Sequence, residues 1–120
     1  TGGRFGGKIQ TLNVLLLTTT GRKSGKERTT PLGYFDHDGG FVISASSAGS
    51  PLNPGWYYNL KSNPQVTIQI KERVIPVIAT EAEGDLRTQL WAQLIEKAPG
   101  FLSYQERTTR QIPMIILQPK

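Results

Sequence analysis

The sequence contains no cysteine, and this absence excludes several kinds of chemistry. Without thiols the chain cannot form disulfides, cannot use a thiolate nucleophile and cannot bind a metal through a thiolate. Histidine is nearly absent as well, because His37 is the single one, and one histidine makes no cluster for zinc or non-haem iron. Redox activity in this chain would therefore depend on an organic cofactor.

Long apolar runs are also missing. Runs such as residues 14–17 stop well short of the roughly 20 apolar residues that a membrane-spanning helix needs. No signal-peptide pattern is visible. The printed sequence begins at Thr1 rather than at methionine, so we expect further residues to precede it in the native protein.

The length of 120 residues suits one domain with one core. We expect a single domain over residues 1–120, with residues 1–8 as a flexible amino-terminal segment. The net charge of +5 and the pI near 9.8 favour anionic partners, namely nucleotides, nucleic acid or an acidic membrane surface.

Hydrophobic periodicity predicts six strands and two helices. The strands are expected at residues 12–18, 28–35, 41–46, 66–70, 74–80 and 112–117. The helices are expected at residues 56–62 and 84–98, the second of which ends at Pro99-Gly100. The segment Asp36-His37-Asp38-Gly39-Gly40 is a strong turn signal, and we expect His37 to be an exposed loop residue there.

Several short strands with one amphipathic helix predict a mainly β (α+β) fold built on a small barrel. A barrel of this size fills its interior with side chains. A ligand larger than a side chain must then bind on the rim of the barrel or at a subunit interface.

The segment of residues 18–31 is unusually basic, with a net charge of +3 from four cations and one acid. These residues are Arg22, Lys23, Lys26, Arg28 and Glu27. Gly21 and Gly25 flank the first two cations and allow the backbone to turn tightly. Cations, free N–H groups and hydroxyls between two strands suit a phosphate or carboxylate ligand, although such a loop can equally be a solvated turn. The segment matches neither a Walker loop nor a dinucleotide fingerprint.

Ordered motifs over nearly the whole chain narrow the choice of family. They are Leu15-Leu16-Leu17-Thr18-Thr19-Thr20-Gly21-Arg22-Lys23-Ser24-Gly25, Arg28, Pro31-Leu32, Ser44-Ala45-Ser46, Asn53-Pro54, Trp56-Tyr57-Tyr58-Asn59-Leu60, Asn63-Pro64 and Arg110-Gln111-Ile112-Pro113. In this combination the chain resembles the deazaflavin-dependent nitroreductase family of actinobacteria, whose members use coenzyme F420. It is most similar to the branch that includes mycobacterial quinone and nitroimidazole reductases.

The resemblance implies a six-stranded split β-barrel, related to FMN-binding split barrels, with flanking helices. It implies hydride transfer from reduced coenzyme F420, an 8-hydroxy-5-deazaflavin, to a planar electron-poor acceptor such as a quinone, enone or nitroaromatic. The coenzyme ends in a phosphate and a chain of glutamates, which suits the basic loop. The cofactor contacts implied by the resemblance are Arg22, Lys23, Ser24, Arg28, Thr29, Thr30, Pro31, Leu32, Gly33, Ser44, Ala45, Ser46, Ser47, Gly55, Trp56, Tyr57, Tyr58 and Asn59.

The resemblance also implies roles near the reacting ring. Ser46 would polarise the deazaflavin, and Tyr104 or water would supply a proton, so that Ser46 and Tyr104 are the catalytic candidates. Phe101 and Tyr104 would line the substrate pocket. Because Phe101 stands where the family's nitroreductases have a tyrosine, we expect quinones to be preferred over polar nitroimidazoles.

Other functions stay open from the residues alone. A basic barrel with aromatic residues could bind single-stranded nucleic acid, could bind FMN, or could carry a deazaflavin without turnover. Trp56, Tyr57 and Tyr58 could simply pack their helix on the barrel. Ser46 could instead satisfy a loop amide, and Tyr104 could be a buried anchor. We expect a cytoplasmic enzyme with a small-molecule acceptor and no nucleic-acid partner; peripheral contact with an anionic membrane, and the choice between monomer and dimer, stay open.

Overall fold

The structure, a computed structural model, describes residues 12–120. Its six strands are β1 (Asn13–Thr20), β2 (Glu27–His37), β3 (Gly40–Ser44), β4 (Gln65–Ile70), β5 (Arg73–Glu81) and β6 (Met114–Pro119). Its α-helices are α1 (Gly55–Ser62), α2 (Gly84–Lys97) and α3 (Phe101–Glu106), and Ser47–Gly49 forms a short 3-10 turn. The prediction for residues 1–8 falls outside the described part of the chain.

The six strands form one closed barrel. Every neighbouring pair is antiparallel, the order around the barrel is β1-β2-β3-β6-β5-β4, and β4 pairs back with β1. Closure leaves none of these strands with a free edge. The predicted mainly β, six-stranded barrel is confirmed.

All six strands and both predicted helices are present, and their ends agree with the predictions to within two residues. The largest differences have local causes. β3 ends early because Pro113, which accepts a hydrogen bond from the Ala45 N–H, has no N–H to donate in return, and because Ser46 adopts helical backbone angles. β6 begins late because the Ile112 N–H bonds to the side chain of Gln105.

The expectation for His37 is wrong. His37 is the last residue of β2 and pairs with Gly40, so strand structure continues up to a two-residue turn. Asp38 and Gly39 form that turn, both with positive φ, as tight hairpins require. The His37 side chain is only 19% exposed.

Buried residues form two clusters because β3 and β6 are covered on both faces. Leu15 and Leu17 belong to the cluster inside the barrel, whereas Leu90 belongs to a second cluster beneath α2 and α3. Val42 and Ile43 are neighbours on β3 and enter different clusters, since alternate strand residues point to opposite faces. α2 and α3 therefore cover one side of the barrel.

The third helix was not predicted. Pro99 and Gly100 end α2, as expected, but they also begin α3. The Phe101 N–H donates to the Ala98 carbonyl and the Leu102 N–H to the Pro99 carbonyl, each at 3.0 Å. Proline suits such a first turn because its missing N–H needs no partner there.

None of the helices within residues 12–120 has both the length and the apolar character required to cross a membrane.

Candidate functional site

The loop between β1 and β2 is a closed turn over residues 21–26. The Gly21 N–H donates to the Lys26 carbonyl at 2.7 Å, and the Gly25 N–H donates to the Gly21 carbonyl at 2.9 Å. A Cβ on Gly21 would lie 2.7 Å from Ser24 Oγ, and Gly25 has a φ of +72°. Both positions therefore favour glycine. Ser24 Oγ also accepts from the Lys26 N–H at 3.1 Å, which leaves its own proton free to donate.

Arg22 ties this loop to α1 through Asn59. Asn59 Oδ1 accepts hydrogen bonds from the Arg22 N–H and from Arg22 Nη1, both at 3.1 Å. Asn59 Nδ2 donates to Thr19 Oγ1 at 3.1 Å, and both of those side chains are buried. The Arg22 guanidinium also lies 5.1 Å from the centre of the Tyr58 ring, a cation–π distance. The first cation of the loop is thus held in place.

An open cleft of about 450 Å³ lies between this loop and the start of α1. Cations, hydroxyl groups, glycines, an amide and one aromatic ring line it. These residues are Gly21, Arg22, Lys23, Ser24, Arg28, Thr30, Gly55, Trp56 and Asn59. α1 begins at Gly55, and the first N–H groups of a helix lack helical partners and carry partial positive charge. Because no acid of residues 12–120 lines it, the cleft is suited to anions.

Two cations of the cleft have no partner within the described part of the chain. The exposed side chains of Lys23 and Arg28 make no hydrogen bond or ion pair with any residue from 12 to 120. Lys26 is also exposed but is not a lining residue. Three of the four cations in the basic segment therefore face the cleft.

The predicted contacts on β2 separate into two faces. Thr30 lines the cleft, and Leu32 packs against the interior cluster. Strand alternation places Thr29, Pro31 and Gly33 on the opposite face. There the Thr29 hydroxyl lies 2.8 Å from a threonine hydroxyl of β1. The structure does not bring these three residues into the cleft.

The predicted contacts after β3 lie outside the lining of the cleft. Ser44 ends β3, and Ala45 is fully buried in the interior cluster. Ser46 is only 9% exposed, whereas Ser47 is exposed and has a positive φ of 44°. These serines belong to a strongly bent loop beside α3.

The aromatic residues of α1 have different partners. Trp56 is 8% exposed and lines the cleft. The Tyr57 hydroxyl donates to Glu81 Oε1 at 2.6 Å, and Lys61 Nζ donates to the same oxygen at 2.9 Å. Burial, together with the hydrogen bond to Glu81, raises the pKa of Tyr57 to about 12. Tyr57 therefore connects α1 to β5.

The pKa of Glu81 is shifted in the opposite direction from that of Tyr57. Burial by itself would raise the pKa of Glu81, but the hydrogen bonds from Tyr57 and Lys61 more than offset this effect and lower it. Glu81 is thus held as a carboxylate between two donors.

The two residues predicted for the substrate pocket lie on α3. The rings of Phe101 and Tyr104 meet edge to face with centroids 5.2 Å apart. Phe101 is 8% exposed and belongs to the second cluster, whereas Tyr104 is partly exposed. Neither lines the basic cleft. A Cβ on Gly49 would lie 2.7 Å from the Tyr104 carbonyl oxygen, so α3 packs directly on the turn that follows Ser46.

Sequence reasoning missed two features of this region. Gly21 lines the cleft but is not among the predicted cofactor contacts, since the sequence indicated only that the backbone there could turn tightly and approach a ligand closely. Arg110 was noted only as part of a motif, yet its guanidinium donates four hydrogen bonds to residues 45–53. No local signal could reveal the second feature, because these partners lie 57 to 65 residues earlier in the chain.

A sequence model of the F420H(2)-dependent quinone reductase family matches residues 1–119. The chain belongs to this family. The resemblance stated above and the coenzyme F420 that it implied are confirmed, as is the assignment to the oxidoreductases. The family description names quinones and does not mention nitro compounds.

Relatives of this quinone reductase family member cover most of its length. An F420H(2)-dependent quinone reductase of Mycobacterium tuberculosis is 39% identical over 121 residues, which cover 98% of this chain and 81% of the relative. A solved structure of an F420-H2 dependent reductase (FDR-A) matches with a TM-score of 0.79 at 40% identity, over 88% of this chain and 93% of that one. A second solved relative, described as a domain-swapped dimer, has a TM-score of 0.80 at 40% identity, over 88% of this chain and 79% of that one.

More distant matches show that the quinone reductase family shares its fold with other proteins. The heme storage protein HutZ of Vibrio cholerae has a TM-score of 0.68 at 21% identity, over 94% of this chain and 85% of that one. At this identity the match shows the fold alone. The function therefore has to be argued from the residues of the site.

Proposed function

We propose that this chain reduces quinones with reduced coenzyme F420, and that the basic cleft holds the anionic tail of the coenzyme. The observation that carries the proposal is the cleft itself, which is lined by three cations of the β1–β2 segment and by the first two residues of α1, with no acid of residues 12–120 among its lining residues. When bound, the reduced deazaflavin supplies a hydride to the acceptor.

The residues of the cleft fit the charges of the coenzyme tail. A phosphate and several glutamates need more than one cation, and Lys23 and Arg28 have no partner among residues 12–120 that they would have to release. Arg28 can hold a phosphate or carboxylate with two parallel hydrogen bonds, whereas Lys23 acts as a point charge. The first N–H groups of α1, beginning at Gly55, add further donors.

Arg22 is proposed to act both as a support and as a ligand. Its backbone N–H and Nη1 are used by Asn59, and Nη1 also lies 3.5 Å from the Gly55 carbonyl. Its Nε and Nη2 donors have no partner among residues 12–120 and remain available. Because its position is already fixed, Arg22 loses little conformational freedom on binding the tail.

The remaining residues are proposed to position the two flat reactants and to handle one proton. Trp56 offers an apolar surface in the cleft, and Ser46 is proposed to hydrogen-bond the deazaflavin ring. A quinone that gains a hydride becomes a hydroquinone anion, which needs one proton; Tyr104 Oη or water supplies it. No strong general base is required, because face-to-face positioning provides most of the effect.

Binding is the first test of the proposal. Trp56 lines the cleft and Trp91 lies on α2, so Trp91→Phe leaves Trp56 as the single fluorescent indole. We expect coenzyme F420 to quench this fluorescence at lower concentrations than FMN, which has one phosphate. The affinity for F420 should fall as salt rises, since exposed charges are screened over about 8 Å at physiological ionic strength. Equal affinity for FMN, or affinity independent of salt, would contradict the proposal.

Turnover is the second test. With the same reduced coenzyme, we expect menadione to be reduced faster than a bicyclic nitroimidazole. Phe101→Tyr should move this ratio toward the nitroimidazole if Phe101 borders the acceptor, and Tyr104→Phe should lower the rate with both acceptors. If the native protein binds the coenzyme but reduces neither acceptor, a carrier role replaces the reductase role.

Peripheral contact with an anionic membrane and the choice between monomer and dimer remain proposals. The first rests on the net charge of +5. Co-sedimentation with vesicles of anionic phospholipid measures peripheral membrane contact, which should weaken when coenzyme F420 occupies the same cations. Light scattering distinguishes a monomer from a dimer.

A further inference from the structure

The loop that carries Ser46 has an unusual backbone. Ser47, Ala48 and Gly49 follow one another with φ values of 44°, 52° and 80°. A positive φ is uncommon outside glycine, and three in succession do not persist without support from their surroundings. Two hydrogen bonds within the loop, from the Gly49 N–H to the Ser46 carbonyl and from the Ser50 N–H to the Ser47 carbonyl, are each 2.9 Å. These bonds alone close only the turn and do not attach it to the barrel.

Arg110 provides the attachment. Its Nε donates to the Ser50 carbonyl at 3.0 Å and its Nη2 to the Ser46 carbonyl at 3.0 Å. Its Nη1 donates to the Ala45 carbonyl at 3.1 Å and to Asn53 Oδ1 at 2.7 Å. Arg110 forms no ion pair with a carboxylate of residues 12–120. Four of the five N–H donors of the guanidinium thus hold one loop at its two ends.

Arg110 is itself held by α3. Gln105 Nε2 donates to the Arg110 carbonyl at 2.7 Å, and Gln105 Oε1 accepts from the Ile112 N–H at 3.0 Å. Gln105 is next to Tyr104 on this helix, and the Tyr104 carbonyl already packs on Gly49. A continuous set of hydrogen bonds therefore runs from α3 through Arg110 to Ser46.

We infer that Arg110 is a positioning residue that fixes Ser46 and its loop for the deazaflavin ring and couples their placement to α3. This inference rests on the proposed function, because it assumes that Ser46 contacts the coenzyme. It differs from two other roles for a basic residue near the site. A ligand of the anionic tail needs free donors, which Arg110 has almost used up. A purely structural arginine would affect folding without affecting the coenzyme.

Arg110→Lys is the main variant, because it keeps the charge but cannot reach four acceptors. We expect the dissociation constant of coenzyme F420, measured by equilibrium dialysis, to rise about ten-fold. We expect kcat for menadione to fall as well, with the KM for menadione little changed. The dependence of coenzyme affinity on salt should stay as in the native protein. Asn53→Ala removes one of the four acceptors and should give a smaller change in the same direction.

Arg87→Lys is the matched control. Arg87 is also partly buried and donates to a backbone carbonyl, that of Ile112, but it stacks on Trp91 of α2 and not on the loop. It should lower the melting temperature and leave coenzyme affinity and kcat unchanged. Amide hydrogen exchange at Gly49 and Ser50, measured without coenzyme, should accelerate in Arg110→Lys and not in Arg87→Lys.

Each contrary outcome identifies a different error. If Arg110→Lys lowers the melting temperature but leaves coenzyme affinity and kcat unchanged, Arg110 is structural and the inference is wrong. If it reduces the salt dependence of binding, Arg110 contacts the tail and the inference is again wrong. If the native protein itself does not bind the deazaflavin, the proposed function fails and the inference with it. Faster exchange at Gly49 in Arg110→Lys would then show that Arg110 holds the loop of residues 45–53 without any role in coenzyme binding.

Discussion

The β1–β2 loop and the loop of residues 45–53 both rely on arginine, but they use it in opposite ways. Arg28 lines the cleft with donors that no residue of 12–120 engages. Arg110 is partly buried and directs four hydrogen bonds to carbonyl and amide oxygens of its own chain. Arg22 lies between these extremes, since Asn59 holds part of it and its other donors remain open.

This difference shows what decides the role of a cation. The charge is the same in all three arginines, whereas the partners are not. Backbone bonds of Gly21 and Gly25 close the β1–β2 turn, so the Lys23 and Arg28 side chains are not needed to hold it. The loop of residues 45–53 has three successive positive φ values and depends on a side chain from elsewhere. A loop that its own backbone bonds close can present cations to a ligand. A loop without such closure needs the donors of an arginine to hold it, and those donors are then not available to a ligand.

Reversing the charges of Lys23 and Arg28 tests whether the cations of the β1–β2 segment bind the coenzyme, and it should have the largest effect on coenzyme affinity. In Lys23→Glu/Arg28→Glu, two charge-assisted contacts of about 1.5–3 kcal/mol each are replaced by repulsion. We expect the dissociation constant of coenzyme F420 to rise at least about a hundred-fold, by equilibrium dialysis. Thermal unfolding should change little, because both side chains are exposed. Binding as tight as in the native protein would show that the cleft does not hold the tail.

Removing one charge at a time sharpens the same comparison. Lys23→Ala should raise the dissociation constant about ten- to a hundred-fold, because one charge-assisted contact is lost. Lys26→Ala is the matched control, since Lys26 is an exposed lysine of the same loop that does not line the cleft. We expect a much smaller change there. Equal losses in both variants would mean that the loop acts through its overall charge and not through placed contacts.

The barrel was predictable because its signals are local. Alternating apolar residues place β4 and β5, and short turns such as Asp38-Gly39 separate neighbouring strands. Residues that the basic motif brought together, such as Lys23 and Arg28, also lie together in the cleft. A strand and its loop are encoded within about ten residues, so the sequence is sufficient to find them.

The parts that were not predicted depend on distant contacts or on opposing local signals. α3 was missed because Pro99-Gly100 ends one helix and begins another. Thr29 and Thr30 belong to the same motif, but strand alternation sends only Thr30 into the cleft. Arg110 was missed because its acceptors lie 57 to 65 residues away, and most of them are carbonyl oxygens that every residue possesses. No residue type in the sequence marks such acceptors.

A substitution at Asn59 tests whether the fixed position of Arg22 matters, because Asn59 holds Arg22 by two hydrogen bonds. Asn59→Ala removes three hydrogen bonds and leaves the buried Thr19 hydroxyl without its partner. We expect a loss of about 1–3 kcal/mol in the free energy of unfolding, measured with urea. Coenzyme affinity should fall by less than in Lys23→Ala, since the Arg22 charge remains but loses its fixed position. Asn63→Ala is the control, because among residues 12–120 the exposed side chain of Asn63 accepts a hydrogen bond only from the nearby Gln65 N–H. Equal destabilisation in both variants would contradict this role for Asn59.

The smallest expected effect concerns the contact between Tyr57, in the first turn of α1, and Glu81 at the end of β5. Tyr57→Phe removes the hydroxyl that donates to Glu81 at 2.6 Å, and we expect a loss of less than about 1.5 kcal/mol at neutral pH. The pKa of Tyr57 is raised from 10.0 to about 12, so its contribution is complete below pH 10.0 and is lost as pH rises toward about 12. The pKa of Glu81 is lowered from 4.5, so the carboxylate's contribution is present above pH 4.5 and is lost as pH falls through the lower, folded value.

The difference in stability between native protein and Tyr57→Phe should therefore be largest between about pH 5 and 9 and should shrink on both sides. Urea unfolding across this range measures it. Tyr58→Phe is the control, because the Tyr58 hydroxyl makes no hydrogen bond with a residue of 12–120. Coenzyme affinity should be unchanged in Tyr57→Phe, since Tyr57 does not line the cleft. A stability difference that stays constant to pH 12 would show that the hydroxyl stabilises α1 through packing and not through Glu81. A loss of coenzyme affinity would instead show that the cleft extends along α1 to Tyr57.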